Sequence, residues 1–361
     1  MQTRNSIVFI FILGLFLKYF NSQAQDSQMK FGAYLDSYFA FDFNNPTNNS
    51  RPYVTQYARH NEFNINHAWL KAQYDSEKIR GSIALQTGTY PQYNYAAEPA
   101  FGQMIYEAYA GYKLTKNGWL DIGIFGGHFG YESALSIDRE LLSPALATEY
   151  TPYYQTGIKY THDFSDKTQF RAVVVNGWQN IRETNDAKSI GVALDHQFND
   201  LIFISYGNYY GVDLSAGGDV WRFHNNAIIQ ITPSEELSFT GIVDFTLQEN
   251  AAYISDEDKK HTASFYTLIS SYQFAEKWSV NGRYERVIDQ DQVLIVVPVT
   301  NFIVPENGFD QHIISLSLNF NLTENASMKF EPKWYLGPGA YTANSEGAFV
   351  FQAGFAMRIG Q

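Results

Sequence analysis

The residues able to do chemistry in this chain fall on alternate positions of long two-faced runs. One face carries Asp36, Glu107, Asp121, Asp195, Asp244, Glu285 and Glu331, set against Arg80, Arg171, Arg283, Lys329, Lys333 and Arg358. The two signs nearly cancel. Charged rings of this kind tune the passage of ions, and the same charges, paired between neighbouring strands, stiffen a sheet. Both roles are open to Asp36, Glu107, Asp121, Arg171, Asp244, Arg283 and Glu285. A second group, Asp138, Arg139, Glu140 and Glu149, lies in segment 128–151 beside Leu141, Leu142, Ala145 and Leu146. A loop with its own apolar residues has reason to pack against something. Inside a hollow barrel it would be a constriction; outside, it would rest on its neighbours.

Catalytic and metal patterns do not emerge. The eight histidines are scattered, with no His-Glu-x-x-His, no Gly-x-Ser-x-Gly and no phosphate-binding loop. Asp256, Glu257 and Asp258 lack the alternating oxygen ligands of a calcium loop, so they read as a solvated charge run. His196, between Leu194 and Phe198, reads as a structural residue at an interface. No enzyme, cofactor or metal is expected.

The elements that must position these charges are strands. Phe31, Ala33, Leu35, Phe39 and Phe41 alternate with Gly32, Tyr34, Asp36, Tyr38 and Asp42, which is the strand period of two. Leu237, Phe239, Val243, Phe245 and Leu247 alternate with Ser238, Thr240, Asp244, Thr246 and Gln248 in the same way. So do Ile314, Leu316, Leu318 and Phe320 with Ser315, Ser317 and Asn319, and Phe349, Phe351, Ala353, Phe355, Met357 and Ile359 with Gln352, Gly354, Ala356 and Arg358. Two runs break the rule: Phe63 and Ile65 are out of phase with Ala68, Leu70 and Ala72, as a bulge would make them, and 201–210 is apolar on both faces.

Short connections rich in Asn, Asp, Gly and Pro fall at 75–78, 115–118, 163–167, 199–200, 233–236, 275–277 and 322–325. Between them lie long polar segments, among them 44–60, 128–151, 250–261 and 288–310. Seven short turns and eight long loops imply about sixteen strands with both ends on the short-turn side. An all-β, transmembrane antiparallel β-barrel with short periplasmic turns and long extracellular loops has this form.

Composition points the same way. Tyr (26) and Phe (28) are abundant, as the aromatic belts of a bilayer interface require. Tyr74, Tyr112, Trp119, Phe198, Phe274, Trp278, Phe320 and Phe330 flank the short turns and are expected to form the periplasmic girdle. Arg4 followed by apolar 7–17 and by Ser22, Gln23 and Ala24 predicts a signal peptide, 1–24, cleaved before Gln25; Lys18 ends the apolar run too early for a spanning helix. Residues 25–361 are then one barrel domain in the outer membrane of a Gram-negative cell. With no cysteine there is neither disulfide nor lipid anchor. A net charge of −12 argues against nucleic acid as a partner.

A barrel of this strand number is wide enough for an aqueous channel. The reading is a porin for passive diffusion of small hydrophilic solutes, with mild cation preference at most and outer-membrane lipid as its surroundings. A homotrimer is one assembly open to it. Alternatives are a solute-selective channel, for example for sugars, with Tyr34, Tyr38 and Trp178 as an aromatic track, or a non-conducting surface adhesin or anchor barrel.

Four stretches carry a resemblance. Asn61-Glu62-Phe63-Asn64-Ile65-Asn66-His67-Ala68-Trp69-Leu70 comes first, then Pro152-Tyr153-Tyr154 with Gly157, then Asn176-Gly177-Trp178-Gln179. Arg283-Tyr284-Glu285 followed by Asp289 completes the series. In this order the chain resembles the OmpL-like β-barrel porins of Bacteroidetes outer membranes. The resemblance implies an outer-membrane porin and no particular solute. One departure is the ending, Arg358-Ile359-Gly360-Gln361, where outer-membrane barrels usually finish on an aromatic residue.

Overall fold

A computed structural model describes residues 28–46, 48–215, 218–249, 260–297, 308–337 and 347–360. The expected signal segment and Asp256, Glu257 and Asp258 lie outside the described residues. The strands are β1 (Gln28–Asp42), β2 (Phe63–Asp75), β3 (Ile79–Thr87), β4 (Ile105–Thr115), β5 (Gly118–Gly126), β6 (Tyr154–Ser165), β7 (Thr168–Val175) and β8 (Ser189–Gln197). They continue as β9 (Ile202–Ser215), β10 (Gly218–Ser234), β11 (Leu237–Gln248), β12 (His261–Ala275), β13 (Trp278–Asp289), β14 (Phe309–Thr323), β15 (Ala326–Leu336) and β16 (Gly347–Ile359). Each pairs antiparallel with its sequence neighbours, and β1 closes on β16 from Ala33↔Ile359 to Asp42↔Val350. The ring therefore has sixteen strands and no free edge, as lipid requires of any backbone it touches.

The two-faced pattern sets the orientation. Leu70, Leu268 and Leu316 face outward at 70%, 61% and 46% exposure, while their strand neighbours Trp69, Ile269 and Ser317 are buried on the inner face. Seven short turns all join strands where the sequence puts them. The phase break in β2 is a bulge. Asp36 pairs with His67 and Ser37 with Ile65, so Asn66 is the extra residue. Asn66 and His67 are consecutive and both fully buried, and Phe63 is thereby left pointing outward.

One expectation fails. Seven of the eight outer connections are long, but β9 ends at Ser215 and β10 begins at Gly218. Pairing runs right to Gly218↔Ser215, so the ladder takes up residues that elsewhere remain loop.

The core of this molecule lies inside the barrel. Segment 127–153 carries a 3-10 turn at Ser136–Asp138 and a short helix at Leu146–Glu149, and its apolar residues each meet a patch of the inner wall. Leu141 packs on Ile228, Ile242 and Ile269 of β10, β11 and β12. Leu142 joins Tyr38, Ala40 and Tyr57, and Leu135 joins Tyr34, Trp69 and Ala356. Leu146 belongs to the largest cluster, with Phe265, Val287, Ile313, Tyr335 and Val350. On the other side Phe129 meets Val173, Ala193 and Tyr209, which explains why β9 is apolar on both faces. Segment 48–62 and the helix Thr89–Asn94 with its cap residue Tyr95 also turn inward, burying Tyr57, Tyr90 and Tyr95 completely.

Candidate functional site: a lumen filled on one side

A buried ionic node fixes the inserted segment to the wall of β13–β15. Arg283 donates from Nε to Glu285 (2.8 Å), and from Nη1 to the Ser143 carbonyl (2.7 Å) and to Glu132 (3.2 Å). Its side chain and those of Glu132 and Glu331 have no exposure at all. Glu331 accepts from the Ser143 amide at 2.7 Å, Glu285 from the Leu146 amide at 2.5 Å and Glu132 from the Ala145 amide at 2.6 Å. Lys329 donates to the carbonyls of Ser136 and Arg139. Charges taken this far out of water persist when they are paired and hydrogen-bonded: Arg283 meets three carboxylates, while Lys329 is held by carbonyl oxygens.

The four predicted loop residues take different places. Arg139 is buried and donates to Gln56 (3.1 Å), to the Tyr57 hydroxyl (3.2 Å), to the Ser133 carbonyl (2.8 Å) and to the Leu142 carbonyl. Glu149 accepts from the amides of Thr55 (2.9 Å) and Gln56 (3.2 Å), tying one inserted segment to the other. Asp138 pairs with Arg358 at 2.5 Å, and Glu140 accepts from the Tyr131 hydroxyl. Burial pushes the Glu132 and Glu149 carboxyls up and holds the His128 imidazole down.

The predicted wall residues all face inward. Asp36 accepts from Tyr57 of the inserted segment (2.7 Å) and from Asn66 of β2 (3.1 Å). Asp244 accepts from Asn226 at 2.8 Å and faces His224 at 3.2 Å. Glu107 pairs with Lys71 at 2.8 Å. Asp121 takes Arg80 with both oxygens (2.7 and 2.5 Å), and Arg171 takes Asp195 likewise (2.7 and 2.9 Å). These last two pairs line a cavity of about 650 Å³ beneath residues 126–131, together with Tyr109, Phe129, Lys159 and Phe203. A smaller cavity of about 330 Å³, lined by Glu140, Glu235, Asn281, Asn319 and Lys329, lies on the β10–β15 side toward the short turns.

The aromatic residues divide. Tyr74, Tyr112, Phe198, Phe274, Trp278, Phe320 and Phe330 fall on the outward face near the short-turn end, with Trp278 and Phe320 stacked at 4.6 Å. Phe330 pairs with Leu318 and so stands one outward step above Phe320. Trp119 is a correction to the expected girdle. It shares the inner face with Asp121, pairs with Lys113, and has the Arg80 guanidinium over its ring at 4.6 Å. Its indole is held inward by cation–π contact. The expected aromatic track is mostly covered: Tyr34 and Tyr38 are each 3% exposed, and the Tyr34 hydroxyl accepts from the Ser136 amide at 3.0 Å. Trp178 sits against Tyr209 and His224 with Arg222 over its ring. His196 is outward beside Phe198, accepting from or donating to Thr168.

Sequence reasoning missed Glu132, Lys159 and the isoleucine seat. The seat left a signal: Ile228, Ile242 and Ile269 interrupt inner faces that are otherwise polar.

No curated protein matches the chain in sequence. Solved outer-membrane structures match its fold at low identity. A loop L8 deletion mutant of Vibrio cholerae OmpT is 12% identical, covering 93% of this chain and 100% of that one, with TM-score 0.61. The anion-selective porin from Comamonas acidovorans is 10% identical over 92% of this chain and all of its own, TM-score 0.59. Salmonella typhi OmpF in complex with daunomycin is 12% identical over 92% and 97%, TM-score 0.59. These likenesses concern the fold. The family model described as "Putative beta-barrel porin-2, OmpL-like" matches residues 28–358, so the chain belongs to that family and is an outer-membrane porin.

Proposed function

We propose that this porin is a passive channel for small hydrophilic solutes whose route is off-centre, running along the inner face of β3–β9, with segment 127–153 as its constriction. The observation that carries the reading is the asymmetry of the lumen. The inserted segment is bonded to β13–β15 through Arg283 and Glu331, whereas the β3–β9 side retains the cavity of about 650 Å³ with paired charges on its wall. In this reading Arg139 and Glu149 hold the segment together rather than touch solute, and Asp138 and Glu140 face the remaining water. No step of covalent chemistry belongs to the function. Trimeric association is proposed alongside it, since Vibrio cholerae OmpT is described in a trimer form; cross-linking in native membranes tests it.

Single-channel recording in planar bilayers tests the route. Deleting residues 137–147 from a barrel that still folds should raise conductance, because the segment no longer occupies the lumen. Unchanged conductance would place the constriction elsewhere.

A further inference from the structure

The cavity on the β3–β9 side holds more positive charge than its wall can neutralise. Arg80, Lys159 and Arg171 line it against two carboxylates, Asp121 and Asp195. Each carboxylate is gripped by an arginine through two hydrogen bonds. Lys159 pairs in register with Asp121 on the next strand, yet the Asp121 carboxylate is turned the other way, toward Arg80. Among the described residues the Lys159 ammonium makes no hydrogen bond and no ion pair. It lies 4.4 Å from the Phe125 ring centroid and 6.0 Å from that of Tyr109. Cation–π contact attracts a cation but satisfies none of its three N–H donors. Burial holds the His128 imidazole down, and both its ring nitrogens are already engaged, with Gln155 and with the Asn208 carbonyl.

We infer that Lys159 marks a binding site for a small organic carboxylate on the permeation route, a solute class that rests on the channel reading above. The ammonium offers donors to the carboxylate, and Phe129, Phe203, Tyr109, Tyr131 and Ile228 on the same cavity wall cover an apolar or aromatic body. A bare inorganic anion would use only the charge. About 650 Å³ is ample for such a solute, within the usual range for small-molecule pockets. The local field therefore favours anions along this route, although the whole chain is acidic.

Benzoate is the probe and benzyl alcohol its uncharged control. Calorimetry on the full barrel in detergent should give benzoate binding that benzyl alcohol does not reproduce. Lys159→Gln should weaken it by roughly tenfold or more, the loss expected for a hydrogen bond to a charged group, and Lys159→Arg should retain it. In bilayers, benzoate should reduce the current of the wild-type channel, with the half-blocking concentration shifted in the same order across the variants. Equal binding by wild type and Lys159→Gln, or no benzoate binding at all, overturns the site. Lys159-dependent binding in a barrel that carries no current would leave the site standing and remove the channel reading instead.

Discussion

Arg171 and Arg283 hold equivalent places in the strand pattern, each inward-facing with a carboxylate within reach, yet their surroundings are opposite. Arg171 keeps 20% of its side chain exposed beside a cavity and reaches the inserted segment through one bond, to the His128 carbonyl at 2.9 Å; Arg283 has none exposed and bonds Glu132 and both the carbonyl and the hydroxyl of Ser143. The difference lies in what the neighbouring inner faces offer. Around Arg171 the wall is small, with Gly191, Ala193 and Gly207 inward, and only His128 and Phe129 lean on it. A Cβ at Gly207 would lie 2.4 Å from the Phe129 Cβ, so the ring fits because the glycine is there. Around Arg283 the wall carries carboxylates and lysines that match polar atoms of the loop one by one. A charge facing the lumen thus does two different jobs: on one side it contacts water, on the other it is part of a core.

Breaking Arg283 should cost the most. Arg283→Met leaves Glu132, Glu285 and Glu331 buried without their partner, at about 3–5 kcal/mol for a broken buried ion network. Unfolding in lipid vesicles should move by that amount, and channel recordings should become noisy as the loop detaches. A silent Arg283→Met would mean that the loop is held by its apolar contacts alone.

Next comes the contrast between the outer and inner faces of the wall. Leu316→Arg places a charge in lipid at about 2–4 kcal/mol. Thr161→Arg, on the inner face beside the cavity, should cost less, up to about 1 kcal/mol for a like charge opposite Arg171, while altering reversal potential in a salt gradient. Ser317 would be a poor choice for the inner partner, because it is 1% exposed and bonded to Asn319 at 2.6 Å. Equal effects of the two arginines would contradict the facing of β14 or β6.

Gly207→Leu should cost about 1–3 kcal/mol by overpacking against Phe129. Gly241→Ala, on the lipid face with ordinary 3.4 Å contact to Ile229, should be close to neutral. The same vesicle unfolding assay compares them. Arg171→Ala should also be mild. Its pair with Asp195 is partly solvated and worth about 0–1 kcal/mol, and its bond to the His128 carbonyl adds about 0.5–1.5 kcal/mol, so stability should fall by less than in Arg283→Met, with the ion-pair share shrinking in high salt. A loss as large as that of Arg283→Met would erase the distinction between the two sides of the lumen.

Most of the barrel was legible because a strand reports its facing at every second residue. Even the irregular stretch in β2 was visible as a phase slip, since one extra residue, Asn66, reverses every side chain after it. Less of the site was legible. Leu141, Leu142 and Leu146 announced that segment 128–151 must pack on something, without naming the surface. Trp119 was misassigned because an aromatic beside a short turn suits a girdle, although it stands two residues from Asp121 and so shares its inner face, where Arg80 from β3 covers its ring. Lys159 was invisible as a site: its meaning depends on which cation Asp121 prefers, a choice between two strands.

Strand number, the side on which the chain turns tightly, the lipid-facing residues and the charged inner face all follow from local period and turn chemistry, and the sequence alone determines them. Which inner charges meet water and which are sealed does not follow from period. Arg171 and Arg283 both occupy inward positions of the strand period. Their difference arises only when the ring closes and one loop lays its leucines on β10–β16 and β1, leaving the glycine-bearing wall opposite to hold the water.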